Sequence, residues 1–150
     1  MNGSDIIIRK AVQADMACLV ELLAELFSIE EDFMINTELQ KTGLDKLLNS
    51  RGSYVFVADI KGMIAGMCTL QILISTAEGG YVGLVEDIVV KNGYRHTGIG
   101  NKLLEYLEKN AADLGLLRLQ LLADKNNIPA LQFYDKLKWK KTGLICFRKV

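Results

Sequence analysis

A loop with two glycines, residues 95–100 with the sequence RHTGIG, joins a predicted strand that ends at Val90 to a predicted helix that begins near Gly98. The first backbone N–H groups of a helix have no partner within the helix, and the helix dipole makes that end positive. Both features favour a bound anion such as a phosphate. Glycine contributes because no Cβ blocks the approach of a ligand to the backbone. This loop therefore predicts an anion-binding site.

Two familiar phosphate-binding loops do not fit these residues. A P-loop needs a lysine and a hydroxyl residue after its second glycine, but Ile99 and Gly100 follow Gly98. A dinucleotide fingerprint needs a third glycine, where this chain has Leu103, and an acidic residue about 20 positions further on, where it has LQL at residues 119–121. Both kinds of nucleotide site are excluded.

Two flanking segments give the loop a context. The strand before it reads VEDIVV over residues 85–90, and residues 127–134, NIPALQFY, fit an N-x-x-A-x-x-F-Y pattern on a later predicted helix. With this spacing the chain resembles the GNAT superfamily of N-acetyltransferases from about Tyr54 to Trp139. It departs from that superfamily at Lys138 and Trp139, where Gly-Phe is usual, and the departure concerns the turn that leaves the helix.

The resemblance implies acetyl-CoA as the acetyl donor. It places the donor pyrophosphate on the backbone of the loop, and the pantetheine arm along the preceding strand and against Asn127. The implied donor-binding residues are Ile88, Val89, Val90, Arg95, His96, Thr97, Gly98, Ile99, Gly100 and Asn127. For Arg95 a solvated loop charge is the alternative, and His96 is expected to be an exposed loop residue rather than a base.

Glu86 and Asp87 are the acidic candidates for catalysis. They are adjacent on a strand, so regular strand geometry points them to opposite faces and only one can face the acceptor. Glu86 shares its face with Leu84 and Ile88, where a partly desolvated carboxylate would be a better base. This register also resembles diamine acetyltransferases, which implies Glu86 as the catalytic base. A structural glutamate paired with a cation is the alternative.

Tyr134 is the candidate acid. It lies on the apolar face of its predicted helix with Ala130, Phe133 and Leu137, so a core tyrosine whose hydroxyl finds a partner is one interpretation. The resemblance implies that Tyr134 instead protonates the sulfur of coenzyme A. It further implies that backbone N–H groups near Ile88, where the strand of the family bulges, bind the developing oxyanion.

An acidic segment, Glu30, Glu31 and Asp32, follows the first predicted helix. It could attract a cationic amine such as a polyamine, an aminoglycoside or lysine, and a solvated helix end is the alternative. The predicted function is transfer of an acetyl group from acetyl-CoA to a primary amine by direct attack. Acetylation of a protein N-terminus or lysine, and a non-catalytic acyl-CoA-binding sensor, stay open as alternatives.

Composition excludes several other classes of protein. Eighteen basic and eighteen acidic residues give no net charge, which argues against a nucleic-acid partner. No apolar run approaches the roughly 18 residues that span a bilayer, so we expect no membrane partner and a cytoplasmic location. One histidine and three distant cysteines, expected to be buried thiols, support neither a disulfide framework nor a metal site. A homodimer is left open.

The elements that must position these residues predict one domain over residues 1–150. Periodicity and turn signals give the order βααβββαβαβ, an α/β fold with a mixed, mostly antiparallel central sheet flanked by helices. We expect Asp15 to cap the first helix and Thr37, with Gln40, to cap the second. The predicted strands are 6–9, 53–60, 63–74, 81–90, 116–123 and 139–150, and the predicted helices are 15–28, 37–52, 98–114 and 126–137.

Overall fold

The computed structural model describes residues 5–30 and 32–150. A five-stranded sheet in the order β1-β2-β3-β4-β5 is antiparallel throughout, except that β4 and β5 are parallel. The predicted fold class is therefore confirmed. The elements are β1 (Ile6–Lys10), α1 (Met16–Phe27), α2 (Thr37–Asn49), β2 (Ser53–Ile60), β3 (Met63–Ser75), β4 (Gly80–Val90), α3 (Ile99–Asp113), β5 (Leu119–Leu121) and α4 (Ile128–Lys136).

The predicted turn between β2 and β3 is confirmed. Lys61 and Gly62 both have positive φ, +52° and +91°, as a two-residue hairpin turn with the twist of its strands requires. The carboxylate of Asp59 accepts the N–H of Gly62 at 2.7 Å and helps to hold the turn.

Helices cover both faces of the sheet. α3 packs its buried residues, which recur every three or four positions, on one face, and α1 and α2 pack on the other. Among the helices of residues 5–30 and 32–150, none is long and apolar enough to cross a membrane. The α3 face buries Phe56, Ala58, Ala65, Cys68, Leu70 and Val85, and the opposite face buries Val55, Val57, Ile64, Met67 and Val89.

The predicted strand over residues 139–150 does not form, so the described order is βααβββαβα. A further strand needs a neighbour for its backbone hydrogen bonds, and β5 has only three residues. β5 is shorter than predicted because the N–H groups of Leu116 and Leu117 bind the carbonyls of Ala111 and Tyr81 as a loop. Residues 141–150 are all exposed, Cys146 among them, which makes the expectation of three buried thiols wrong.

Asp15 is the N-cap residue of α1, as predicted, although its side chain makes no cap hydrogen bond there, and the predicted cap of α2 is wrong. Asn36, not Thr37, caps α2, because its Oδ1 accepts the N–H of Leu39 at 3.1 Å. The carboxylate of Asp15 accepts the N–H of Val12 at 2.8 Å in a 3-10 turn that precedes α1, and it also binds the guanidinium of Arg9 at 2.8 and 3.0 Å. A neighbouring guanidinium is a stronger partner for a carboxylate than a helix end.

Candidate active site

The loop after β4 leads directly into the N-terminus of α3. Gly98 is the N-cap of α3 with φ +87° and no side-chain cap, and His96 also has a positive φ, +63°. Among the residues that the structure describes, no backbone N–H group of residues 95–101 donates a hydrogen bond to another protein group. A run of free N–H groups at the positive end of a 15-residue helix is suited to a phosphate.

The two glycines of the loop are required for different reasons. A Cβ on Gly98 would meet no protein atom within 4 Å, so it would occupy open space above the helix end, and the positive φ itself disfavours a side chain. A Cβ on Gly100 would lie 3.1 Å from Cζ of Phe133. We expected both glycines to make room for a ligand, whereas Gly100 makes room for α4.

Arg95 holds the loop against its surroundings. Its Nε donates to the carbonyl of Val90 at 3.1 Å, and its Nη2 lies 3.7 Å from Oε2 of Glu25 in α1. The same Glu25 oxygen accepts the N–H of Asn92 at 2.8 Å. Arg95 thus has partners within the protein and is not a purely solvated charge. His96 and Thr97 are exposed.

β4 contains a bulge at the position implied by the resemblance. Thr69 of β3 pairs with Glu86 and Met67 pairs with Val89, so Cys68 between them faces two residues, Asp87 and Ile88. Asp87 has φ +52°, which is rare for a residue other than glycine. A bulge leaves its extra residue outside the ladder of hydrogen bonds. Backbone N–H groups here are suited to an oxyanion.

The bulge also reverses the alternation on which we based the direction of Glu86. Val85 and Ile88 pack on the same α3 face, although strict alternation would separate them, and Val89 lies on the opposite face. Glu86 is exposed, and our expectation of a partly desolvated carboxylate is wrong. It is Asp87 that is half-buried.

Asp87 lines a cavity of about 390 Å³ between the sheet and the helices α1 and α2. Burial, together with the negative charges of Glu86 and Glu30, raises the pKa of Asp87 to about 6, against a weak opposing hydrogen bond from Thr69. The other lining residues are Leu23, Phe27, Gln40, Gly43, Leu44, Lys46, Leu47, Ser50, Ser53 and Gln71.

Gln40 is a site residue that sequence reasoning missed, because we interpreted it as part of a helix cap. Its side chain is buried, 9% exposed, and its Oε1 has no hydrogen-bond partner in the part of the chain that the structure describes. No local sequence signal identifies such an atom, since its surroundings come from three separate elements.

Tyr134 packs beside Phe133 and Trp139 at the edge of the α3 face, with ring centroids 5.4 and 6.4 Å away. Burial, with smaller effects of Glu30 and Cys68, raises the pKa of Tyr134 to about 12. Its hydroxyl makes no hydrogen bond to any residue described, although a core tyrosine normally finds a partner. The hydroxyl is therefore available to a ligand.

The segment that carries Tyr134 begins and ends as the sequence predicts. The side chain of Asn127 caps α4 by accepting the N–H of Ala130 at 3.2 Å. Lys138 has φ +65° and takes the left-handed position that the superfamily fills with glycine. The turn survives this departure because the N–H of Trp139 still reaches the carbonyl of Tyr134 at 3.0 Å.

The acidic segment after α1 approaches the same region. Burial, with the charges of Asp124, Asp32 and Glu86, raises the pKa of Glu30. The predicted substrate residues Glu30 and Asp32 therefore belong to a negatively charged neighbourhood that includes the bulge and the start of α4. Glu31 lies outside the described residues.

A family model for the acetyltransferase (GNAT) family matches residues 20–139. The chain belongs to this family. As a GNAT protein it is an acetyl-CoA-dependent N-acetyltransferase. This is the family that the loop and the N-x-x-A-x-x-F-Y segment indicate.

Two relatives agree with this assignment of the GNAT chain, and a solved structure shares its fold. It is 28% identical over 137 residues to glucosamine 6-phosphate N-acetyltransferase of Trypanosoma brucei brucei, covering 91% of this chain and 90% of the relative. It is 27% identical over 136 residues to thialysine N-epsilon-acetyltransferase of Caenorhabditis elegans, covering 87% and 82%. The structure of a possible acetyltransferase from Clostridium difficile 630 superposes with a TM-score of 0.86 at 20% identity, covering 97% of each chain, and shows the same fold.

Proposed function

We propose that this GNAT protein transfers the acetyl group of acetyl-CoA to the primary amine of a small molecule. The observation that carries the proposal is the bulge at Asp87 and Ile88, which places unpaired strand backbone beside a cavity of about 390 Å³. A volume of this size can hold a small acceptor, and the substrates named for the two relatives, glucosamine 6-phosphate and thialysine, are small amines. We therefore favour a small-molecule amine over a protein N-terminus or lysine.

The residues around the loop fit acetyl-CoA. The free N–H groups of residues 95–100 bind the pyrophosphate, and Arg95 keeps this loop in place through Val90 and Glu25. Ile88, Val89 and Val90 hold the pantetheine arm, with Asn127 at the start of α4. The open space at Gly98 supports this assignment, since a side chain there would project where the ligand lies.

Direct attack forms a bond between the amine nitrogen and the acetyl carbon and breaks the carbon–sulfur bond of the thioester. Backbone N–H groups at the bulge stabilise the developing oxyanion. Tyr134 gives its proton to the departing sulfur, and a pKa of about 12 keeps the hydroxyl protonated at neutral pH until then. Glu86 collects the proton that the amine loses and, being exposed, passes it to water. Each proton transfer contributes about 10²–10⁴-fold.

The acceptor is cationic in this proposal. Glu30, Asp32, Glu86 and Asp87 surround the approach to the bulge with negative charge, and Glu31 adds to it in sequence. The named substrates of the two relatives differ, since one is a phosphorylated amino sugar and the other resembles lysine. The acidic surroundings favour the lysine-like kind of acceptor.

Release of free thiol from acetyl-CoA in the presence of a panel of amines tests the function. Polyamines, amino sugars, aminoglycosides and lysine analogues form the panel, and mass spectrometry identifies the acetylated product. Thiol release that depends on an amine supports the proposal, whereas acetyl-CoA binding without any release supports the sensor. The single domain over residues 1–150, the cytoplasmic location, the homodimer and the absence of metal, nucleic-acid and membrane partners stay predictions.

A further inference from the structure

Helix α4 carries the proposed acid, Tyr134, although it is the least buried α-helix of the described chain. None of its nine residues is buried, whereas α1, α2 and α3 bury four, two and five residues. A helix with so little buried surface is held by few contacts, so its position depends strongly on each of them.

The sheet does not hold the end of α4. The predicted strand over residues 139–150 does not form, and residues 141–150 are exposed. The N–H of Trp139 closes the turn by donating to the carbonyl of Tyr134 at 3.0 Å, but this bond lies within the same segment. The turn is therefore attached to the rest of the protein by side chains.

Trp139 supplies such an attachment. Its indole Nε1–H donates a hydrogen bond to Oε1 of Glu108 in α3 at 3.1 Å. A carboxylate acceptor makes this bond stronger than one between neutral groups. The phenylalanine that is usual for the superfamily at this position has no N–H in its ring, so the contact depends on the tryptophan of this chain.

Glu108 belongs to a firmly packed helix. Leu104 and Leu107, which flank it on α3, have no exposed surface. The same helix meets α4 at its first turn, where a Cβ on Gly100 would lie 3.1 Å from Cζ of Phe133. Residues 100 and 108 are about 12 Å apart along the helix axis. The two ends of this stretch of α3 thus contact α4 and the turn that follows it.

Tyr134 lies between these two contacts. Its ring centroid is 5.4 Å from that of Phe133 and 6.4 Å from that of Trp139. One contact at Phe133 would leave α4 free to turn about it, whereas a second contact at Trp139 fixes the direction of the Tyr134 hydroxyl. That hydroxyl has no hydrogen bond to a described residue that would fix it instead.

We propose that Glu108 is a positioning residue that acts through the indole of Trp139 and holds the Tyr134 hydroxyl at the sulfur of coenzyme A. The inference rests on the proposed function, in which Tyr134 is the acid. A general acid must lie within hydrogen-bond reach of the atom that it protonates, and a displacement of about 1 Å can cost about 10²-fold in rate. Glu108 therefore affects the proton transfer rather than the binding of either substrate.

Substitutions of Glu108 test this role with acetyl-CoA and the best amine of the panel. Glu108→Leu should lower kcat by about threefold to tenfold, the range that one hydrogen bond supplies, with little change in KM. Glu108→Gln keeps an acceptor oxygen at the same place and should retain most of the activity. Glu105→Leu, at an exposed carboxylate one turn earlier on α3, is the matched control and should leave kcat unchanged.

Trp139→Phe tests the other partner, because it keeps an aromatic ring beside Tyr134 and removes the N–H. It should lower kcat as much as Glu108→Leu does. The double variant should be no slower than either single variant, since both substitutions remove the same hydrogen bond.

The Tyr134→Phe background separates a positioning role from a merely structural one. Without the hydroxyl there is no acid to position, so Glu108→Leu should lower kcat in the wild-type background and leave it unchanged in Tyr134→Phe. A structural role predicts the same factor of loss in both backgrounds. The rates are measured where the chemical step limits kcat.

Tryptophan fluorescence gives a readout that needs no turnover. Trp139 is the only tryptophan of the sequence, so the emission reports on this turn alone. Quenching of the emission by acrylamide should increase in Glu108→Leu, because the indole loses its contact with α3. It should stay at the wild-type level in Glu105→Leu and close to that level in Glu108→Gln.

The outcomes separate the inference from the proposed function. An unchanged kcat in Glu108→Leu, or an equal loss with and without the Tyr134 hydroxyl, overturns the inference and leaves the proposed function standing. Absence of turnover with every amine overturns the proposed function, and the fluorescence then decides the inference. Stronger quenching in Glu108→Leu than in the wild type would support Glu108 as the residue that fixes this turn, and equal quenching would overturn it.

Discussion

Asp87→Asn removes a carboxylate that the fold keeps in an unfavourable place, and we expect it to stabilise the protein at neutral pH. Burial and the neighbouring acids raise the pKa of Asp87 from 3.8 to about 6 in the folded state. In the unfolded chain the same group ionises near its ordinary value of about 3.9. The folded state therefore holds this proton more tightly, and losing it weakens the fold.

The sign and size of the effect follow from these two values. Below about pH 4 the carboxyl group is protonated in both the folded and the unfolded state, so it does not lower the free energy of unfolding. The loss of free energy of unfolding grows up to about pH 6 and is complete above that pH. Each tenfold change in the acid dissociation constant corresponds to about 1.4 kcal/mol, which gives about 3 kcal/mol. Water reaching the half-buried carboxylate reduces this to about 1–2 kcal/mol.

Thermal unfolding of the wild type and Asp87→Asn from pH 4.5 to 8 measures the effect. In a chain of this size, about 1–2 kcal/mol corresponds to a rise in Tm of about 3–6 °C for the variant at pH 7.5. The difference should shrink toward zero at the acid end. Asp113→Asn, at an exposed position, should show no such trend. A Tm difference that is the same at every pH would show that Asp87 does not titrate as described.

Three further variants examine the loop and the proton transfers. Gly98→Ala should weaken coenzyme A binding by at least about fivefold in calorimetry. Gly115→Ala is its control, because Gly115 has a similar positive φ of +71° and equally open space. The control should lower Tm as much as Gly98→Ala does and leave coenzyme A binding unchanged. Equal losses of coenzyme A affinity in the two variants would show that the loop does not bind the donor. Tyr134→Phe should lower kcat by about 10²-fold or more with little change in Tm or coenzyme A affinity, because the hydroxyl has no protein partner among the residues described. An unchanged kcat, measured where the chemical step limits the rate, would show that Tyr134 has only a structural role in the core. Glu86→Gln should lower turnover most at neutral pH and recover part of it toward pH 9.5, where solvent supplies free amine; a constant ratio to the wild type would exclude Glu86 as the base.

Local signals were sufficient for the loop and its neighbours. Gly98, Asn127 and the hairpin turn at Lys61 and Gly62 each depend on contacts within a few residues, and the structure places all of them as predicted. The VEDIVV strand and the N-x-x-A-x-x-F-Y helix could likewise be placed, because periodicity and spacing are properties of one segment.

The features that were missed depend on partners distant in sequence. Strict alternation placed Ile88 on the same face as Glu86, whereas the bulge, which is defined by the register against Cys68 in β3, moves Ile88 to the α3 face. Gln40 was placed in a helix cap, but Asn36 takes that role and the amide contacts Met34 instead. The last predicted strand has an apolar run over residues 144–147 but no neighbour of sufficient length among the described strands.

The packing of Phe133 against Gly100 couples the position of α4 to the N-terminus of α3. The first turn of α3, whose N–H groups are proposed to bind the donor, meets α4 at an aromatic ring that a Cβ on residue 100 would approach to 3.1 Å. Tyr134 is the next residue along α4, so a displacement of that ring also moves the acid. Engineering of the loop to accept another acyl donor should therefore keep glycine at residue 100, because a side chain there would press on Phe133 and disturb donor affinity and proton delivery together. A substitution at Gly98, which faces open space, should change donor affinity alone.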